Sequence, residues 1–151
     1  MTVEDIRAGL IRLLREKTDV VNITGEDLEN TKDYASLEKG ADGQTLPTLQ
    51  VMVTPVTSQA AVAGHHMDKS VLVDITYFED RYTSIRNLQK RLEELQNILL
   101  PYFRIGDRAF SPVISSNITD GTGHCVFTLE YTDTIPFEED APPAGDISIG
   151  L

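Results

Sequence analysis

Basic residues stop early in this chain: the last of its 13 Lys and Arg is Arg108, and 43 residues follow without one. With 24 acidic residues the formal net charge is −11. That balance argues against free binding to nucleic-acid phosphates, whose affinity comes mostly from Lys and Arg. It argues equally against an anionic membrane surface as partner. Cysteine is almost missing. Cys125 stands alone, so no internal disulfide and no thiolate zinc cluster can form. No apolar run approaches the ~20 residues of a membrane span. The opening Met1-Thr2-Val3-Glu4-Asp5 lacks the basic region and apolar stretch of a secretory signal. These absences predict a soluble protein made in a reducing cytoplasm, with no membrane partner.

What is present reads as ordinary globular protein. The chain has 151 residues, 40% apolar and 25% charged, enough for one domain that buries roughly 68–70% of its unfolded surface. The charge is uneven. Residues 1–108 hold 17 acidic and 13 basic groups, whereas residues 109–151 hold 7 acidic groups and no basic one.

Val3, Ile6, Leu10, Leu13 and Leu14 share one face of a helix. Thr2 and Asp5 resemble a capping box with Asp in the place of Glu, and Gly9 weakens the helix by ~1 kcal/mol relative to Ala. Val20 to Ile23 suit a short strand. Residues 24–46 form a long polar loop, with one helical turn expected within 27–37; loops of that length tend to be functional. Leu49, Val51 and Val53 alternate with polar neighbours as a half-buried strand does, which Pro55 confines to an edge or ends. Residues 58–68 are small and polar and read as the tip of a long hairpin. Val71, Val73, Ile75 and Tyr77 form its return strand. Ile85, Leu88, Leu92, Leu95 and Leu99 mark a second helix, capped by Thr83 or Ser84 and stopped by Pro101. Ile98 and Leu100 widen its apolar stripe, so it should lie on a sheet. Residues 110–118 suit a strand weakened by Pro112. Asp120-Gly121-Thr122-Gly123 is a turn signal, and Cys125, Phe127, Leu129 and Tyr131 alternate as the last strand. The order predicts an α+β fold: a mostly antiparallel sheet with two helices packed on one face, a long hairpin and an extended C-terminal arm. The expected division is a domain over 1–137 and an acidic, flexible arm over 138–151. No internal repeat is visible.

Chemical motifs are weak. His65, His66 and Asp68 cluster at the hairpin tip, but adjacent residues of an extended segment point opposite ways, and His124 is far off in sequence. A tetrahedral metal site needs three or four converging ligands, so no metal site is assigned. His124 and Cys125 fall on opposite strand faces, and Cys125 reads as a core thiol. The turn at Asp120 lacks both the Lys and the following helix of a phosphate loop. Glu138-Glu139-Asp140 reads as a solvated acidic run. No catalytic constellation and no cofactor site emerge.

Four segments carry a resemblance: Thr2-Val3-Glu4-Asp5-Ile6-Arg7-Ala8-Gly9-Leu10, Pro47-Thr48-Leu49-Gln50-Val51, Val73-Asp74-Ile75-Thr76-Tyr77-Phe78, and the final hairpin from Gly121 to Tyr131. In order and spacing the chain resembles the tail terminator proteins of long-tailed bacteriophages and phage-tail-like particles, over most of 1–137. The loop at 24–46 and the extension at 138–151 depart from that pattern. The resemblance implies a non-enzymatic virion protein, assembled in the host cytoplasm. Its copies would form a ring, typically a hexamer, on the head-proximal end of the tail tube. Its partners would be itself, the tail tube protein, head–tail connector or neck proteins, and sheath protein if the tail contracts. DNA would only pass through the lumen, where acidic charge repels phosphates. Ring contacts would come from the hairpin tip (Gln59, His65, His66, Met67) and from the arm (Phe137, Glu138, Glu139, Asp140, Ile147, Ile149, Leu151), by strand addition at an open edge. Another neck or connector protein, or a small metal-dependent enzyme, are the alternatives.

Overall fold

Thr2 starts the first helix as its sequence suggests. Its hydroxyl accepts a hydrogen bond from the Asp5 amide, and the Asp5 carboxylate accepts one from the Thr2 amide, so the capping box closes with Asp in the third place. Helix α1 (Val3–Lys17) buries Ile6, Leu10 and Leu14, each worth ~1.5–3 kcal/mol when removed from water. The computed structural model describes residues 1–25, 37–60, 65–79 and 83–134. The helical turn expected within 27–37 therefore falls almost wholly outside the described residues, and the arm at 138–151 falls entirely outside them.

Among the described residues seven strands follow the chain order β1 (Asn22–Thr24), β2 (Thr48–Ala60), β3 (His66–Phe78), β4 (Phe103–Ile105), β5 (Arg108–Phe110), β6 (Ser115–Thr119) and β7 (Thr122–Thr134), with helix α2 (Ile85–Leu99) between β3 and β4. The main sheet has the order β1-β2-β3-β7-β6. Only the β1–β2 pair is parallel; the others are antiparallel. β4 and β5 form a separate hairpin that turns at Gly106, where φ is +61°.

The alternation read from the sequence sets the sheet's two faces. Leu49, Val51, Val53, Val71, Val73, Ile75, Tyr77, Cys125, Phe127, Leu129 and Tyr131 are all buried, because they share the face on which both helices lie. α2 contributes Leu88, Leu92, Leu95 and Leu99 to the same cluster. Ser84 caps α2 by accepting the Asn87 amide. Ile85 departs from the expected stripe and is 62% exposed, since the first turn of α2 precedes the region where the helix meets the sheet.

Two strand readings are corrected in detail, and at Pro55 the edge alternative holds. The tip read at 58–68 is shorter: Ser58, Gln59 and Ala60 pair with Lys69, Asp68 and Met67, because β3 is held on its other side by β7 along the whole ribbon. Pro55 does not end β2. It sits where β1 has already stopped, at an irregularity between Pro55 and Thr57, so its missing N–H costs no ladder bond. The strand read at 110–118 is two pieces, with Phe110 in β5 and the rest starting at Ser115, since Pro112 cannot donate to a ladder.

The β4–β5 hairpin was not foreseen, and it closes the core beyond the helices. Phe103 lies 5.7 Å from Phe110 and meets Phe127 edge-on at 6.0 Å. Ile105 sits over Gly9, where an added Cβ would come within 2.8 Å of the Ile105 side chain. Gly9 thus permits a close approach that outweighs its helix propensity. At the start of β1 the Asn22 amide group donates to the carbonyls of Glu38 and Leu46, and its oxygen accepts from the Glu38 amide. This one buried side chain pins the end of the long loop to the sheet.

Gly9→Ala should lower the thermal midpoint despite its better helix propensity, because overpacking costs ~1–3 kcal/mol against a gain of ~1. Asn22→Ala should cost ~1–3 kcal/mol by stranding backbone groups. Chemical denaturation of both variants checks these outcomes; a Gly9→Ala variant as stable as the parent would remove the close-approach argument.

Candidate assembly surfaces

The face of the sheet away from the helices is covered at its β1 corner, where Asn22 and Thr48 are buried and Asn22 holds Glu38 and Leu46; along the rest of the ribbon its described side chains are half-buried or exposed. Register places Gln50, Met52, Thr54, Thr57 and Gln59 of β2 on it, beside His66, Asp68, Ser70, Leu72, Asp74 and Thr76 of β3. β7 adds Thr122, His124, Val126, Thr128, Glu130 and Thr132, and β6 adds Ser115, Asn117 and Thr119. No Lys or Arg stands among these positions, while Asp68, Asp74 and Glu130 do. The hydroxyls are knitted across strands: Thr57 to Ser70 at 2.6 Å, and Thr132 donating to Asp68 at 2.7 Å. His124 bridges the strands as well. Its Nδ1 lies 3.2 Å from Asp74 and 3.1 Å from Thr76, and its Nε2 lies 3.1 Å from Thr122. This is an acidic, hydroxyl-rich surface laid out along the ladder.

The helix-side face of the same ribbon solves a different problem. Past the helices, Asp133 gathers three cations: the Met1 amine at 3.2 Å, Lys69 at 3.2 Å and Arg108 at 2.9 Å. Arg108 also stacks 5.5 Å from the Tyr131 ring centre. One carboxylate thereby ties the N-terminus, β3 and the β4–β5 hairpin to β7. Burial pushes the Asp133 carboxyl up, but hydrogen bonds from the amine, Lys69 and Arg108 outweigh it and hold the group below its ordinary value. Near α2, Tyr77 donates to Glu79 and lies under Arg91, 5.0 Å from the guanidinium. Burial, followed by the neighbouring Glu79 carboxylate, raises the Tyr77 hydroxyl to about 12.

The sequence-derived candidates separate in space. Gln59 and His66 lie on the outer face, paired with Asp68 and Thr134. Met67 lies on the helix side, paired with Ala60, and its sulfur accepts from Ser58. His65 is exposed just before β3. Phe137, Glu138, Glu139, Asp140, Ile147, Ile149 and Leu151 lie outside the described residues. Among the described residues no group of three or more His, Cys, Asp or Glu is placed to hold a metal. The Cys125 thiol is buried and pushed up to about 12, by desolvation first and then by Asp74, which suits a core residue better than a nucleophile. The Asp133 cluster was missed because its members are up to 132 positions apart.

A family model described as phage tail terminator protein matches residues 5–141. No curated protein matches the chain. No helix of the described residues is long and apolar enough to cross a membrane.

The depressed Asp133 carboxyl adds stability that is complete above its unfolded value near 3.9 and is lost as pH falls through its lower folded value. Asp133→Asn should therefore destabilise the protein by ~1–3 kcal/mol at neutral pH and leave its stability less dependent on pH below about 4. Parallel denaturation curves at neutral and acidic pH measure both effects. Equal acid sensitivity in the two proteins would show that Asp133 is not the group responsible.

Proposed function

We propose a role that proceeds from one premise: this chain belongs to the phage tail terminator family. It is a structural protein of the phage tail. Its copies close into a ring, a hexamer, on the head-proximal end of the finished tail tube. The ring ends tube polymerisation and offers the surface to which connector and neck proteins of the head attach. In a contractile tail it also meets the sheath. Subunit contacts are heterologous, since only head-to-tail contacts close a ring by rotation. The hairpin around Gln59, His65, His66 and Met67 and the arm with Phe137, Glu138, Glu139, Asp140, Ile147, Ile149 and Leu151 serve as contact elements. The division into a domain over 1–137 and an arm over 138–151 belongs to the same proposal.

The observation that carries the reading is the family match across 137 of 151 residues. The sheet supports it. Its outer face bears Asp68, Asp74 and Glu130 with no Lys or Arg, and such a face turned to the lumen repels phosphates so that DNA slides without sticking. The charge excess of residues 109–151 divides accordingly. Glu130 sits on the outer face, whereas Asp133 is neutralised by its three cations on the helix side.

Light scattering of the purified chain mixed with tail tubes should give rings bound at one end of each tube. Monomer alone, with tube ends present, would count decisively against the role. Rings of Asp68→Lys, Asp74→Lys, Glu130→Lys protein should bind double-stranded DNA with a steep inverse salt dependence that parent rings lack. If the substituted rings assemble and still ignore DNA, the outer face does not line the lumen.

A further inference from the structure

The ribbon of β2, β3 and β7 has two long margins, and each carries exposed apolar groups at one height. On the β2 margin the ladder pairs Pro55 with Val71 and Thr57 with Ser70. Val56 is therefore one residue extra, with no partner on β3. An extra residue of this kind bends the strand and re-aims a side chain, and Val56 is 56% exposed. β1 reaches along β2 only to Gln50, so among the described residues no strand flanks Val56 on its far side.

On the β7 margin β6 pairs only up to Val126. Beside that point lies a groove of about 480 Å³, lined in part by Leu72, Val113, Val126, Leu129 and Glu130. Val113 is 88% exposed and Leu72 40%. Register fixes the heights. Val71 stands between Pro55 and Leu129, and Ser70 between Thr57 and Glu130. Val56 is thus level with residues that line the groove. Val56, Leu72 and Val113 all stand outside the core cluster.

Two different patches on opposite margins suit a head-to-tail contact between copies. Such a contact closes into a ring when the copies are related by rotation alone, and opens into a helical filament when each copy also rises. Patches at equal height favour the closed case. Charge selects which margins meet. The chain carries a net −11, and like charges set against each other are costly at an interface. Two β7 margins face to face would bring Glu130 against its own copy. β2 has no Asp, Glu, Lys or Arg among its thirteen residues, so its margin approaches Glu130 with no like charge opposing it. Pro55 and the extra residue discourage backbone pairing there, which leaves the contact to side chains.

We propose that a second copy of this chain occupies the groove: Val56 of one subunit seats against Leu72 and Val113 of the next, so that the β2 margin meets the β7 margin around the ring. This rests on the reading of the chain as a ring-forming tail protein, and deepens it by naming a subunit contact. Joining margins at equal height also keeps the outer faces of all subunits, with Asp68, Asp74 and Glu130, on the same side of the ring wall.

Counting rings on tail tubes by electron microscopy tests the contact. Val56→Lys and Val113→Asp each replace an exposed side chain, so both variants should keep the parent's thermal midpoint. Each alone should form roughly tenfold fewer rings than the parent, because it sets an unpaired charge in the contact. The double variant Val56→Lys, Val113→Asp should recover most of the parent yield, since opposite charges then meet. Single variants that form rings as well as the parent, or a double variant no better than either single, would overturn the contact and leave the ring itself standing. A parent chain that forms no rings on tubes would overturn both.

Discussion

Everything in this molecule hangs on the register of β3 between β2 and β7. The three strands are 13 residues each, and their ladder sorts every side chain onto one of two faces. A slip of one residue would carry Val71, Val73, Ile75 and Tyr77 to the outer face and bring Leu72, Asp74, Thr76 and Phe78 against the helices. That exchange would bury Asp74 away from water, which is costly without a paired charge. The apolar pattern therefore fixes more than the core. It also composes the outer face, since residues excluded from one side must appear on the other.

The ladder is longer than the layer of helices that covers it, and its two halves are stabilised differently. Over the near half, α1 and α2 bury leucines and isoleucines against the sheet. Over the far half the covering is the β4–β5 hairpin and the cation cluster on Asp133. Three positive groups around one carboxylate let the ribbon continue without a hydrophobic cover, because the charges are paired and hydrogen-bonded instead of stranded. The same device neutralises one of the seven acidic residues in the lysine-free and arginine-free stretch. The electrostatic character of the outer face owes as much to Asp68 and Asp74 of β3 as to Glu130 of β7.

A tail protein of this kind works through surfaces, and the surfaces here follow from the ladder. Its flat face is polar, acidic and tied together by cross-strand hydroxyl contacts. Among the described residues its outer strands β1 and β6 are short, and β2 carries a proline and an irregularity. Among the described residues the Cys125 thiol is held protonated within the core, and the Tyr77 hydroxyl is committed to Glu79 beneath Arg91.

Periodicity alone was enough to find both helices, the capping box at Thr2, the three long strands and the face each residue occupies, because period 3.6 and period 2 are local properties of the chain. Local signals also placed the turn at Asp120 and Gly121, whose φ values of 50° and 76° suit a tight hairpin. Other features depend on residues far apart and were settled only by the tertiary structure. Lys69, Arg108 and the Met1 amine reach Asp133 only after the sheet and hairpin have formed. Gly9 reads as a weak helix residue until Ile105 is laid over it. The hairpin tip looked longer than it is because Ser58, Gln59 and Ala60 have little strand preference of their own. They are held extended by β3, which β7 braces in turn. Local pattern thus determined which elements exist and which way they face. Only the fold decided where the strands stop and which charges meet, since each of those depends on a neighbour that sequence distance hides.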